Sequence, residues 1–425
     1  MLREWLLAVR CRPGRAVAAA LVLAAGGYGL WIGIDAWQFR HARAGAERAL
    51  AAYDFPEARR HLDECIRRRP DDPAIRLLAA QAARRAGDLA AAQDQLEAFR
   101  ERNGSDAVAK LEGAMLQAQR GQVREVSNYL MSRLEIRHPA TSELVLEALA
   151  SGCVQIYHLD RASLWIHELL QRAPKNPIGM LLRGQSLETM GNYDKAEEAF
   201  RALIKDYPNH VKARLSLADL LVRTAQRFEE AAKHYEQARR LEPDQAAPLL
   251  GLVRCRIALA QTDEVRRLVA ELEARYPDNS AALLECGRFA VTDNRLADAE
   301  RLLRRAVQLA PFDREAHYRL GVCLQQLAQT GEAQQHIDKS RQIEADMIRI
   351  EKVFDAIVKA PDDPALRLEV GQICLRNGQA QEGLRWLHGA LELNPGHMAT
   401  HAALAAFYVQ QGNAEQAEYH RQRAQ

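Results

Sequence analysis

His167 and Glu168 stand side by side, and a histidine–glutamate pair is half of H-E-x-x-H, in which two imidazoles hold zinc and the carboxylate acts as base. The second imidazole would fall four residues after His167, where the chain has Gln171, so no second ligand follows. His158, His317, His336 and His401 lie singly in helical patterns and are read as surface or core residues. Seven cysteines (Cys11, Cys65, Cys153, Cys255, Cys286, Cys323 and Cys374) are dispersed, odd in number and form no C-x-x-C pair. That spacing suits neither a zinc site nor a disulfide framework, and most are expected as small buried residues of helix cores. Asp71-Asp72 and Asp362-Asp363 precede prolines, where a carboxylate caps a helix start. No P-loop, G-x-S-x-G or dinucleotide glycine fingerprint is present. The reading is of a non-catalytic chain with no cofactor and no metal.

The 425 residues carry 58 Lys+Arg against 56 Asp+Glu, a formal net charge of +2. A nucleic-acid partner normally demands a basic excess or a basic face, so none is expected. Aromatics are only 6%, while Ala, Leu, Arg, Glu and Gln dominate, as in a mostly helical protein.

The residues with chemical potential therefore have to be placed by helices, and one stretch shows how. From Pro177 to His210 the chain reads PIGMLLRGQSLETMGNYDKAEEAFRALIKDYPNH. Met180, Arg183, Gly184 and Leu187 share one helix face; Tyr193, Ala196, Phe200 and Leu203 share another, across a tight turn at Gly191-Asn192-Tyr193. Gly184 and Ala196 are small residues where the two helices cross closely, and Pro208 ends the second helix. Neither helix buries its stripe alone. The same marks recur at a period of about 34 residues, giving about eleven units from Phe39 to the C-terminus. The unit beginning at Arg314 has no closing proline; its second helix runs on through Ile343, Met347, Ile350 and Phe354 towards Pro361, a joint that breaks the period by about 16 residues.

Ahead of the repeats, no residue from Ala16 to Ile34 is charged, and AVAAALVLAAGGYGLWIGI is apolar enough to span a bilayer. Tyr28, Trp31 and Trp37 lie towards one end, as interfacial aromatics do. An uncleaved signal anchor is expected rather than a cleaved signal peptide. Arg10, Arg12 and Arg15 at its leading edge favour a cytoplasmic N-terminus and an exported remainder, with Arg3 further upstream. Ala25, Gly29 and Gly33 form a small-xxx-small face through which two such helices could pack as a homodimer. The organisation expected is thus a basic segment 1–15, a membrane helix 16–38, an array 39–347, a helical joint 348–363, and two further repeats at 364–425 with a polar cap.

Small residues near the eighth and twentieth positions, a glycine–Asn/Asp–aromatic turn and a proline near the thirty-second resemble the tetratricopeptide repeat. Pentatricopeptide repeats, which bind RNA, share the hairpin, but the glycine turn and the Y/A-P ending favour the tetratricopeptide kind. The resemblance implies an all-α fold, a right-handed α-solenoid of helix pairs whose first helices line a concave groove for a partner peptide or helix. It places Leu181, Gln185, Asp219, Leu250, Arg254, Leu284, Arg288, Tyr318, Val322, Leu368, Gln372 and Arg376 in that groove, an amphipathic strip for a peptide with apolar anchors and oxygens for the arginines. The function expected is a membrane-anchored scaffold for protein–protein interaction; the alternative is an envelope assembly factor acting on a client, and more remotely an RNA-binding repeat.

Overall fold

The computed structural model describes residues 13–102, 105–134 and 139–424, with side chains from residue 21 apart from 22–24, 139, 140 and 225. Arg3, Arg10, Cys11 and Arg12, and the side chain of Arg15, lie outside the described residues. Every described element is helical. The chain divides into two compact units, residues 1–116 and 117–425.

The first unit begins with α1 (Pro13–Ala51), one unbroken helix of 39 residues. The apolar run and the first helix of the first repeat are therefore one element, with no linker at residue 38. Phe39, Ala42 and Ala46 of α1 pack on Leu62 and Cys65 of α2 (Phe55–Arg68) and on Ile75 of α3 (Pro73–Ala86). Upstream of Phe39 the large apolar side chains are uncovered, Leu21, Tyr28, Leu30, Trp31, Ile32, Ile34 and Trp37 all being exposed, while Asp35 pairs with Arg68 of α2 at 2.8 Å. Among the described residues no helix is long and apolar enough to cross a membrane, and much of the 16–34 run lies outside the described side chains. The unit continues with α4 (Leu89–Glu101) and α5 (Asp106–Gln119), which crosses into the second unit. Arg84 of α3 and Glu112 of α5 form an ion pair with both side chains at most 3% exposed.

The second unit runs through α6 (Val123–Leu134), α7 (Pro139–Gln155), α8 (Leu159–Arg172), α9 (Pro177–Thr189), α10 (Tyr193–Asp206), α11 (Val211–Leu220), α12 (Phe228–Leu241), α13 (Ala246–Ala258) and α14 (Thr262–Arg275). It ends with α15 (Ser280–Thr292), α16 (Leu296–Leu309), α17 (Arg314–Gln326), α18 (Thr330–Lys359), α19 (Pro364–Arg376), α20 (Ala380–Leu393), α21 (Met398–Gln410) and α22 (Ala414–Arg423). Within each pair the crossing residue is small for a reason. A Cβ on Gly184 would stand 2.4 Å from the Phe200 ring, and one on Gly287 2.7 Å from Leu303. One apolar core, from Phe200 and Leu217 through Leu252 and Leu302 to Leu324, runs continuously across the middle repeats. Each leucine sealed there contributes about 1.5–3 kcal/mol over an exposed one, so a helix pair is held mainly by its neighbours.

The turn inside each pair needs one residue in left-handed backbone. These are Tyr53, Gly87, Gly121, Tyr157, Gly191, Gln226, Ala260, Asn294, Ala328, Gly378 and Gly412 among the described residues. Their spacing is 34 to 36 residues except for a gap of 50 between Ala328 and Gly378, so eleven hairpins and one insertion are present. At the expected helical joint, 348–363, the preceding helix continues as far as Lys359. Helix α18 runs unbroken for 30 residues, its second half taking the place of a second helix whose first helix is missing.

Helix starts follow the capping rule: Asp72, Asn176, Asn279, Asp313 and Asp363 each accept a backbone N–H in the first turn of the helix that follows. A further device recurs. Six residues after each of five closing prolines stands a basic side chain that donates back to the proline carbonyl: Arg76 to Pro70, Arg214 to Pro208, His317 to Pro311, Arg367 to Pro361 and His401 to Pro395. The carbonyl past a helix end has no partner within the helix, and this side chain supplies one. His317 and His401 then meet a second imidazole, His336 at 2.9 Å and His420 at 2.8 Å. Because Nε2 of His317 and of His401 donates to the carbonyl, Nδ1 of each accepts, and His336 and His420 are the donors.

The second unit also makes contacts between distant repeats. Tyr157, at the turn between α7 and α8, stacks on Trp386 of α20 (ring centres 4.4 Å apart), and Phe354 of α18 packs on both. Beside them the Arg124 N–H, in the first turn of α6, donates to the Glu392 carboxylate at 2.5 Å, and the Arg124 guanidinium donates to the Leu391 carbonyl at 3.3 Å.

Candidate functional site

Helices α11, α13 and α15 are first helices of consecutive repeats, so side chains at matching positions lie one rung apart. Across them runs a line of polar groups. On α12, Tyr235 lies over Gly251 of α13, where a Cβ would come within 2.3 Å of its ring, and its hydroxyl donates to Asp219 of α11 at 2.5 Å. Burial, and then the Asp219 charge, push the Tyr235 phenol well above its ordinary value, so it stays a donor.

The next rung is Arg254 of α13. Its Nε donates to Glu285 of α15 at 2.6 Å, and Arg288 approaches the other Glu285 oxygen at 3.4 Å. Glu285 is 2% exposed, whereas the Arg254 side chain is 52% exposed. A buried carboxylate thus holds a surface guanidinium by its inner nitrogen and leaves the outer fork facing solvent. Burial works against the Arg254 charge, but the Glu285 carboxylate, with Tyr235 and Asp219 behind it, outweighs burial and raises its pKa. One Glu285 oxygen is buried without a hydrogen-bond partner, which further commits that carboxylate to the two arginines.

The expected groove residues divide. Leu250 (9% exposed), Leu284 (6%) and Leu368 (9%) are packed between helices, in the central core or against Leu387 and Leu404, so they are not free as peptide anchors. Leu181 is half-buried against the same central core. The apolar positions of the strip therefore seal repeat against repeat. Asp219, Arg254 and Arg288 are brought together as described. Tyr318 and Gln372 are exposed, while Gln185 and Val322 are half-buried. Arg376 stands apart, its guanidinium forked onto Asp346 of α18 at 2.5 and 3.0 Å, with Asn377 donating to the same carboxylate. Sequence reasoning missed Glu285 and Tyr235. A signal for Glu285 was available, because it is the one acid inside the apolar run SAALLECGRFA.

Among the described residues no group of three or more His, Cys, Asp or Glu side chains could hold a metal ion. Six cysteines, Cys65, Cys153, Cys255, Cys286, Cys323 and Cys374, are free and buried. Burial pushes the thiols of Cys65, Cys255 and Cys374 up to about 11 and those of Cys153 and Cys286 to about 12, which keeps them inert.

Comparison with known proteins agrees with this architecture. One tetratricopeptide repeat family model matches residues 43–107, 181–246 and 287–340, and a second matches 222–285. A TPR repeat-containing protein of Pseudomonas aeruginosa is 29% identical over 189 residues, covering 44% of this chain and 29% of the relative. The protein CTR9 homolog of Arabidopsis thaliana is 25% identical over 269 residues, covering 56% of this chain and 25% of the relative. The chain thus spans less than a third of the length of either. Among solved structures, yeast Tom70 aligns with 89% of this chain and 83% of its own at 15% identity, TM-score 0.37. MamA aligns with 39% of this chain and 96% of its own at 16% identity, TM-score 0.33. The two family models together cover just over half of the chain, which belongs to the tetratricopeptide repeat family.

Proposed function

We propose that this chain is a non-catalytic, membrane-anchored scaffold that docks a partner peptide or helix across α11, α13 and α15. The observation that carries the docking surface is Arg254: a guanidinium tethered at Nε to buried Glu285, with its fork left for a ligand. Pre-fixing a cation in this way lowers the entropy lost when a carboxylate or carbonyl is gripped. Asp219 and Arg288 flank it, and Tyr318 offers an exposed aromatic contact two repeats from Arg254. With the leucines sealed in the core, recognition here is polar.

Anchoring is assigned to the leading part of α1, whose exposed apolar residues from Leu21 to Trp37 surround the helix rather than mark one stripe. With the arginines at its leading edge in the sequence, this favours a single-pass helix with the repeats on the exported side. A Cβ on Gly29 or Gly33 would meet nothing within 4 Å, so the small-residue face with Ala25 is open for a second copy.

The test is capture of partners from a native membrane extract by the full chain and by the Arg254→Ala/Arg288→Ala variant. The reading predicts at least one partner retained by the wild type and lost by the variant. An identical partner set would overturn the docking surface. Release of the full chain by salt or carbonate, rather than by detergent alone, would overturn the anchor.

A further inference from the structure

Among the described residues, the sealing of repeat against repeat has one exception. In the first helices, the residue just before the small crossing residue plugs the seam with the preceding pair. It is Leu149, Leu217, Cys286, Leu320, Val370 and Leu404 in six of them, each 1% exposed or less. In α9 the same position, just before Gly184, is Arg183, and it is exposed. There the seam between α8 and α9 opens into a cavity of about 440 Å³, in the size range of ligand sites.

The cavity has an apolar interior, including Ile166, Leu170 and Leu187, and a rim of His167, Gln171, Arg183 and the exposed Met190. Two features single it out. Ser186 is one of its wall residues, and the Ser186 hydroxyl, buried behind that wall, has no hydrogen-bond partner. Arg183 makes no ion pair among the described residues, because the carboxylates closest in sequence are engaged elsewhere: Glu168 by Arg172 at 2.7 Å and Glu188 by Arg223 at 2.5 Å. A cation without a counter-charge, next to a buried unpaired hydroxyl and an apolar hollow, is the complement of a carboxylate beside an aliphatic group.

We propose that this seam is a second binding site, separate from the α11–α15 face, which takes a peptide segment carrying an acidic side chain next to an aliphatic one. The carboxylate meets Arg183, and the aliphatic chain passes Met190 to enter beside Leu170 and Leu187. Replacing the seam's plug by arginine gives up packing in exchange for the site.

The test titrates the full chain, followed by NMR or calorimetry, with N-acetyl-glutamyl-leucinamide and with its glutaminyl counterpart. The glutamyl probe is expected to bind at least tenfold more tightly, and R183L is expected to abolish that preference. Because R183L restores the residue type of the other seams, it should melt no lower than the wild type; R183Q repeats the test without refilling the cavity. Arg254→Ala should leave the probe's affinity unchanged, which separates this site from the docking face. Equal binding of the two probes, no binding of either, or an undiminished preference in both Arg183 variants would overturn the proposal.

Discussion

Leu284 and Glu285 are neighbours on α15, both nearly buried, and they belong to different faces of the same helix. Leu284 joins a core that runs without interruption from one repeat to the next, where any loss of volume is felt by three helices. Glu285 faces the other way and serves the guanidinium groups of Arg254 and Arg288. The lesson is that in this array stability and recognition are divided by face, not by repeat. The core face should respond to substitution with stability and the polar face with binding, and each prediction below tests that division.

The strongest test on the core face is Phe200→Ala. Phe200 is fully buried and fills the space that Gly184 leaves open, so its truncation should cost about 3–5 kcal/mol, read from urea unfolding. A loss below 1 kcal/mol would mean that the pair is not held by its crossing.

Next in size is the effect of acid on the buried imidazoles. Burial, then the charges of His401, His388 and Arg423, push His420 down to about 4. Below the ordinary value near 6.5 the unfolded chain therefore binds a proton that the folded chain refuses. The stability that neutral His420 provides is complete above that value and is lost as pH falls from about 6.5 towards 4. Glu392, which burial raises to about 7, acts in the opposite sense, its contribution being lost as pH rises. The reading is therefore the difference between wild type and His420→Leu. Between pH 7 and 4.5 the wild type should lose about 1–3 kcal/mol more than the variant. Parallel curves would refute a buried neutral imidazole.

Smaller again is the turn. Ala260 and Ala328 hold left-handed backbone that costs a residue with a Cβ about 1–2 kcal/mol, part of which glycine returns to its greater freedom in the unfolded chain. Ala260→Gly should raise stability by about 0.5–1 kcal/mol in chemical melts. A decrease would show that packing, not backbone, fixes that turn.

The hairpins were legible because their signals are local: Gly184 facing Phe200, Gly191 in left-handed backbone and Asp72 and Asp363 at helix starts all act within one unit. Ala260 hid its turn, since alanine gives no hint of left-handed backbone. The stack of Tyr157, Phe354 and Trp386 could not be read, because residues far apart in the chain share no periodicity. The groove was legible only in part. One residue along a helix rotates a side chain by about 100°, enough to exchange a core leucine for a working carboxylate. The basic residue six positions after a proline was visible in the sequence five times over, and needed the structure to show that the carbonyl was its partner.

The smallest stability effect falls on the residue that matters most to the account. Arg254→Lys keeps a cation beside the buried Glu285 carboxylate and removes only the fork, so it should change stability by no more than about 1 kcal/mol, whereas Arg254→Ala would leave that carboxylate unpaired. The decisive measurement is the affinity of a captured partner for wild type and for Arg254→Lys, by calorimetry, alongside both unfolding curves. The account predicts at least a tenfold loss of affinity with nearly unchanged unfolding. Unchanged affinity, or a loss that merely follows destabilisation, would contradict it.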